Sequence, residues 1–131
     1  MSTRCLIGRK IKDNKVEYIY CHHDGYLDGV GEILKTYYTN DGVIDKLMAL
    51  GNLSALGRIA ESNPNQFNFT GKIDYNLCAA YRDNGDKGVD SKIIPEKDYI
   101  DKLNTNIWMK YLYLWDGEKW CYYCEDKWRA V

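Results

Sequence analysis

Both histidines of the chain fall in one stretch, Cys21-His22-His23-Asp24-Gly25-Tyr26-Leu27-Asp28-Gly29-Val30-Gly31, beside two carboxylates and three glycines. The stretch lies where a β-prone run gives way to a helical period, and free backbone N–H groups at such a junction can meet an anion. A second polar cluster, Tyr81-Arg82-Asp83, follows a short apolar run. Tyr26 and Tyr81 offer stacking surfaces, and Arg82 offers a planar fork for phosphate or carboxylate. The candidate binding set is therefore His22, Asp24, Tyr26, Gly29, Gly31, Tyr81, Arg82 and Asp83, with the two aspartates orienting donors. The packing alternative is that His22 sits between sheet and helix, His23 and Asp24 tie down the turn, and Arg82 and Asp83 pair across their own turn.

Other chemistries fit less well. The glycines depart from the G-x-G-x-x-G spacing and no Gly-Lys-Ser/Thr occurs, which disfavours the familiar nucleotide enzymes. His22, His23 and Asp24 alternate faces if they continue a strand, so they do not converge on a metal. Cys5 opposite His22 is the one candidate nucleophile and base pair, and it depends on strand register. Cys121-Tyr122-Tyr123-Cys124 has Cys-x-x-Cys spacing but lies in an aromatic β-prone run that points its two thiols to opposite faces. Five cysteines in a chain with no apolar leader among Met1 to Lys10 are expected as free thiols. No catalytic residue, metal ligand or cofactor is assigned.

The elements that must position these groups begin with two β-prone runs between Arg4 and His23, separated by a turn at Asp13-Asn14. A two-residue turn there sets Ile11 against Val16, Lys10 against Glu17, Ile7 against Tyr20 and Cys5 against His22. Val30, Ile33, Leu34, Tyr37 and Tyr38 then mark one face of a helix, with Asp28 as cap and Asn40 as end. Asp41 opens a second helix that buries Val43, Ile44, Leu47 and Met48 and stops at Gly51. Leu53 to Gly57 suggests one more helical turn, Ser62 to Phe69 a loop, Leu77 to Arg82 a strand, and Pro95 the start of a short helix with Tyr99, Ile100 and Leu103 inward. Ile107 to Trp115 and Glu118 to Asp126 flank Asp116-Gly117, a strong hairpin signal. That register opposes Tyr113 to Trp120, Tyr111 to Tyr122 and Met109 to Cys124, and leaves Tyr123 and Trp128 on an outer face as contacts for a partner. The expected fold is a single α+β domain over residues 1–131. It has an antiparallel sheet of about five strands built from the N- and C-terminal hairpins, with the helical hairpin and one short helix on one face.

Composition agrees with a folded, water-exposed domain. The chain is 45% hydrophobic and 28% charged over 131 residues, with net charge −1. That balance disfavours disorder, direct nucleic-acid binding and an acidic nucleic-acid mimic. The longest apolar stretch, Ile107 to Trp115, is interrupted by Lys110 and is far short of the ~20 residues of a membrane span. A cytoplasmic protein is expected.

Several segments carry a further signal: Ser2-Thr3-Arg4-Cys5-Leu6-Ile7-Gly8, Ile19 to Tyr26, Gly29-Val30-Gly31, Leu50 to Gly57, Ala80 to Gly85 and Tyr113 to Gly117. In this order they resemble a family of small proteins encoded by bacteriophages, prophages and their hosts. The family pattern has Trp at the position of His23 and Pro at that of Leu27. The resemblance implies an accessory protein of the bacterial cytoplasm that acts by binding, as an anti-CRISPR-like inhibitor of a host defence protein or by sequestering a nucleotide immune signal. A second copy of the chain is a further candidate partner. The alternatives are a small hydrolase or nucleotide-modifying enzyme using His22, Asp24 and Asp83, and a structural or regulatory phage protein without a ligand.

Overall fold

A computed structural model of the chain describes residues 2–63 and 74–131. The elements are β1 (Arg4–Ile11), β2 (Lys15–Cys21), a π-helical turn (Leu27–Gly31), α1 (Glu32–Tyr37), α2 (Asp41–Leu50), β3 (Leu53–Ala55), β4 (Ile59–Ser62), β5 (Leu77–Ala80), a 3₁₀ turn (Tyr81–Asn84), β6 (Lys92–Pro95), α3 (Glu96–Thr105), β7 (Met109–Trp115), β8 (Trp120–Cys124) and β9 (Lys127–Ala130).

The sheet corrects the expected fold class. Among the described residues it has nine strands in mixed orientation, ordered β4-β5-β3-β2-β1-β7-β8-β9, with β6 beside β2. Both terminal hairpins are present, but β1 and β7 pair in parallel and join them into one sheet. Further parallel pairs link β2 to β3 and β4 to β5. The helices are not confined to one face either. Cys5, Ile7, Ile19, Tyr113 and Trp115 pack with Leu34, Ile44, Leu47 and Met48 of α1 and α2. Leu6, Val16, Tyr18, Leu112 and Leu114 pack with Tyr99 of α3. Odd and even residues of β1 thus feed two cores on opposite faces.

Both hairpin tips lie where expected, but each register differs. At the first, Asp13 and Asn14 are left-handed and Lys12 joins the loop, so Ile11 meets Lys15, Ile7 meets Ile19 and Cys5 meets Cys21. The expected partners are displaced by one residue, and Glu17 pairs with Arg9 at 2.7 Å where Lys10 was expected. At the second, Asp116 accepts bonds from the backbone of Glu118 and Lys119, both at 2.9 Å. Those residues belong to the loop, and Tyr113 faces Tyr122 while Trp115 faces Trp120. A shift of two keeps every side chain on its expected face.

Other boundaries move for local reasons. The first helical segment starts at Tyr26 with no side-chain cap, whereas Asp28 was expected to cap it. Asn40 does not end that segment but caps α2, its side chain accepting from Val43 N at 3.0 Å. Asp41 instead accepts from Trp115 Nε1 at 2.9 Å. Leu53 to Ala55 is strand, because Cys21 and Ala80 supply partners on either side. Ser62 ends β4; the loop expected from there to Phe69 otherwise lies outside the described residues, apart from Asn63. Tyr123 and Trp128 are not a bare outer face. Their rings meet edge to face at 5.2 Å, and Trp128 stacks on buried Tyr99 at 6.4 Å beneath α3.

Buried aromatic hydroxyls and indole N–H groups tie the layers together. Tyr113 donates to Gly25 O (2.7 Å), Tyr99 to Tyr113 O (2.6 Å), Tyr38 to Gly57 O (2.8 Å) and Trp120 to Tyr38 O (2.7 Å). Each such tip would otherwise be a desolvated donor costing about 1–3 kcal/mol. The bond from Tyr113 also fixes the loop that leads into the candidate site.

Candidate functional site

The glycine-rich junction spends its backbone groups internally. Gly25 N donates to Thr3 O, Val30 N to Asp24 O, and both Gly29 N and Gly31 N to Tyr26 O, at 2.8–3.3 Å. The Tyr26 hydroxyl donates to Asp24 Oδ1 at 3.0 Å, across a left-handed Asp24. The glycines serve close approach: a β-carbon on Gly29 would sit 2.3 Å from Asp24 O, and one on Gly31 would sit 3.2 Å from the Tyr113 hydroxyl.

The other candidate residues divide between two settings. Arg82 turns its fork inward, Nε donating to Leu50 O at 2.9 Å and Nη2 to Ala49 O, so it caps the carbonyl end of α2. Asp83, in the 3₁₀ turn after β5, holds one buried oxygen without a hydrogen-bond partner among the described residues. His22 and Tyr81 lie with Tyr20, Ser54 and Arg4. The Tyr20 hydroxyl and His22 Nδ1 are 2.6 Å apart, the rings of His22 and His23 meet edge to face at 4.6 Å, and Tyr81 hydrogen-bonds Ser54. Burial, His23 and Arg4 all lower the His22 pKa, which keeps the ring neutral near pH 7. Burial raises the Tyr20 hydroxyl, with Arg4 pulling the other way.

This geometry brings Asp24 to Tyr26 and sets His22 and Tyr81 around Tyr20, while the Arg82 fork is taken up by the carbonyls at the end of α2. It also removes the Cys5 and His22 pair. Cys5 faces Cys21 in the first core, where burial pushes its thiol up, while His22 contacts Tyr20 and His23. Among the described residues no hydrogen bond or ion pair joins His22 to Asp24 or Asp83. Among the described residues no group of three or more His, Cys, Asp and Glu side chains is placed to hold a metal ion, and no helix is long and apolar enough to cross a membrane.

Two adjoining clefts open at the end of the sheet where β1 and β7 begin. The larger, about 610 Å³, is walled by Tyr26, Tyr111, Tyr122 and Tyr123, with Thr3 and Lys110 at its side. The smaller, about 380 Å³, lies between Ser2, Arg4, Ile107, Trp108 and Lys110. Lys110 belongs to both. Asn106 accepts from Trp108 N at 2.9 Å and builds the turn that lifts Ile107 and Trp108 off the end of β7, leaving them 77% and 57% exposed. The Arg4 guanidinium lies over the Trp108 ring at 5.5 Å.

No family model, curated protein or solved structure matches this chain. The site therefore rests on its own geometry, which offers aromatic walls, two exposed apolar side chains, two cations and, at the smaller cleft, the Ser2 hydroxyl 3.1 Å from His23 Nδ1. Of the sequence-derived set only Tyr26 lines the clefts. Of the remaining lining residues the sequence singles out only Tyr123, as a partner contact; Arg4, Lys110, Trp108, Tyr111 and Tyr122 carry no such signal, because Ile107 and Trp108 continue an apolar run that reads as strand. The polar stretch Asn104-Thr105-Asn106 just before them is the signal of a turn that separates them from β7.

Proposed function

We propose that this chain is an accessory protein of a bacteriophage or prophage that works by binding a component of a host defence system, and that it catalyses no reaction. The observation that carries this reading is the contrast between its polar and aromatic groups. The candidates that the sequence offers for acid–base or anion chemistry at the junction and the 3₁₀ turn, His22, Asp24 and Arg82, are engaged within the fold, while Tyr26, Ile107 and Trp108 stand exposed around two clefts. Tyr and Trp make large contacts with little ordering of their own, and Arg beside Trp is a common anchor at recognition surfaces. The phage context and the inhibitory role rest on the family resemblance, in which the bound component is a defence protein or a nucleotide immune signal.

The test is phage plating on a bacterial host whose defence system restricts it, with this chain expressed from a plasmid. Plating should recover with the native chain and should fall back with the double variant Arg4→Ala, Trp108→Ala, provided that its thermal melt stays cooperative. Full recovery with a folded double variant would show that this surface is not the recognition site. Turnover of a nucleotide or ester substrate by the purified chain would overturn the non-enzymatic reading.

A further inference from the structure

The two clefts differ in character, and they share one side chain. The larger is aromatic on several sides, at a volume within the ~300–1,000 Å³ range of small-ligand pockets. Its acidic neighbours are already occupied: Glu125 pairs with Arg129 at 3.0 Å, and Asp24 accepts from Tyr26. The smaller is cationic. Arg4 and Lys110 line it, and among the described residues neither makes an ion pair. A net positive cleft joined through Lys110 to an aromatic one is complementary to a ligand with a flat ring at one end and an anion at the other.

Resting on the binding reading above, we propose that this double cleft is a nucleotide site. The base lies among Tyr26, Tyr111 and Tyr122, and the phosphate is held by Lys110 and Arg4 in the smaller cleft. Stacking on tyrosine tolerates any base, since every base has a π-face. The phosphate supplies the opposite charge that neither Lys110 nor Arg4 meets among the described residues, with the planar Arg4 fork held in place over Trp108. An acidic side chain of a protein partner would use the cations but leave the tyrosine walls largely unfilled. A nucleotide fills both.

The experiment is calorimetric titration of the intact chain with the 5′-monophosphates of adenosine, guanosine, cytidine and uridine, beside the matching nucleosides and inorganic phosphate. At least one nucleotide should bind saturably, and its nucleoside and inorganic phosphate should each bind at least about tenfold more weakly, one charge-assisted contact being worth about that factor. Lys110→Ala should weaken the nucleotide about tenfold and leave the nucleoside unchanged, whereas Tyr26→Ala should weaken both. Both side chains are exposed, so both variants should fold. The proposal is overturned if no nucleotide saturates up to about 1 mM, if nucleotide and nucleoside bind equally, or if a single-stranded oligonucleotide binds more than about tenfold tighter than its mononucleotide. A chain that restores phage plating yet binds no nucleotide would remove this site and leave the binding function intact. A chain that binds nucleotides but never restores plating would do the reverse.

Discussion

At the scale of single residues, the junction shows how the same amino acids can serve two purposes. Glycines before a helix can expose N–H groups to an anion, or they can let backbone segments touch. Here Gly29 touches: a β-carbon there would lie 2.3 Å from the carbonyl oxygen of Asp24, whose position is fixed by its bond from Val30 N at 2.8 Å. Backbone cannot yield as a flexible side chain does, so Gly29→Ala should cost about 1–3 kcal/mol in chemical denaturation. A loss below about 0.5 kcal/mol would mean that the turn relaxes freely. Gly85 is the contrasting case, left-handed with open space around its α-carbon, where the backbone angle alone favours glycine. Sequence cannot separate these uses, because both require only the absence of a side chain.

At the scale of elements, α2 is held at both ends by residues whose roles the sequence suggested only in part. Its start is capped by Asn40, one position before the expected Asp41, and its last carbonyls are capped by Arg82, which sequence placed in a binding fork. Asn40→Ala should therefore destabilise the protein by about 1 kcal/mol, while Asp41→Ala should act instead through the lost bond from Trp115 Nε1. Urea midpoints of the two variants, with fluorescence of Trp115 followed alongside, distinguish the cases; equal cost at Asn40 and at a solvent-facing control such as Lys46 would refute the cap. The helices, both hairpin tips, the Gly51 stop and the Pro95 helix start were legible because each is written in adjacent residues. Strands β4, β6 and β9 were not. Each is four residues long, too short for alternation to emerge, and each forms by pairing with a strand that local sequence does not identify.

At the scale of the molecule, the parallel pairing of β1 with β7 could not be inferred from either hairpin alone, since the hydrophobic pattern of a central strand does not name its neighbour. That pairing also sets Tyr113 beside Ile7 in the buried middle of the sheet. Its hydroxyl donates to Gly25 O beside the candidate site, and its carbonyl accepts from Tyr99, which carries α3. Burial raises the pKa of Tyr113, of Tyr99 and of Tyr38, whose hydroxyl donates to Gly57 O, and burial likewise raises the Cys5, Cys78 and Cys121 thiols. In the unfolded chain these groups ionise near their ordinary values, about 8.5 for thiols and about 10 for tyrosines. Below those values both states hold the same protons, and the contribution to stability is complete. Above them the unfolded chain sheds protons that the folded chain keeps, so unfolding becomes progressively favoured, by about 1.4 kcal/mol per pH unit for each such group. Denaturant midpoints should accordingly hold steady from about pH 7 to about pH 8, fall beyond that, and fall more steeply past about pH 10. Tyr113→Phe should lower stability at pH 7, where it leaves Gly25 O without its donor, yet flatten the alkaline decline by one group's share. A midpoint unchanged between about pH 8 and about pH 11 would mean that these hydroxyls reach solvent in the folded state and do not bind the two cores together.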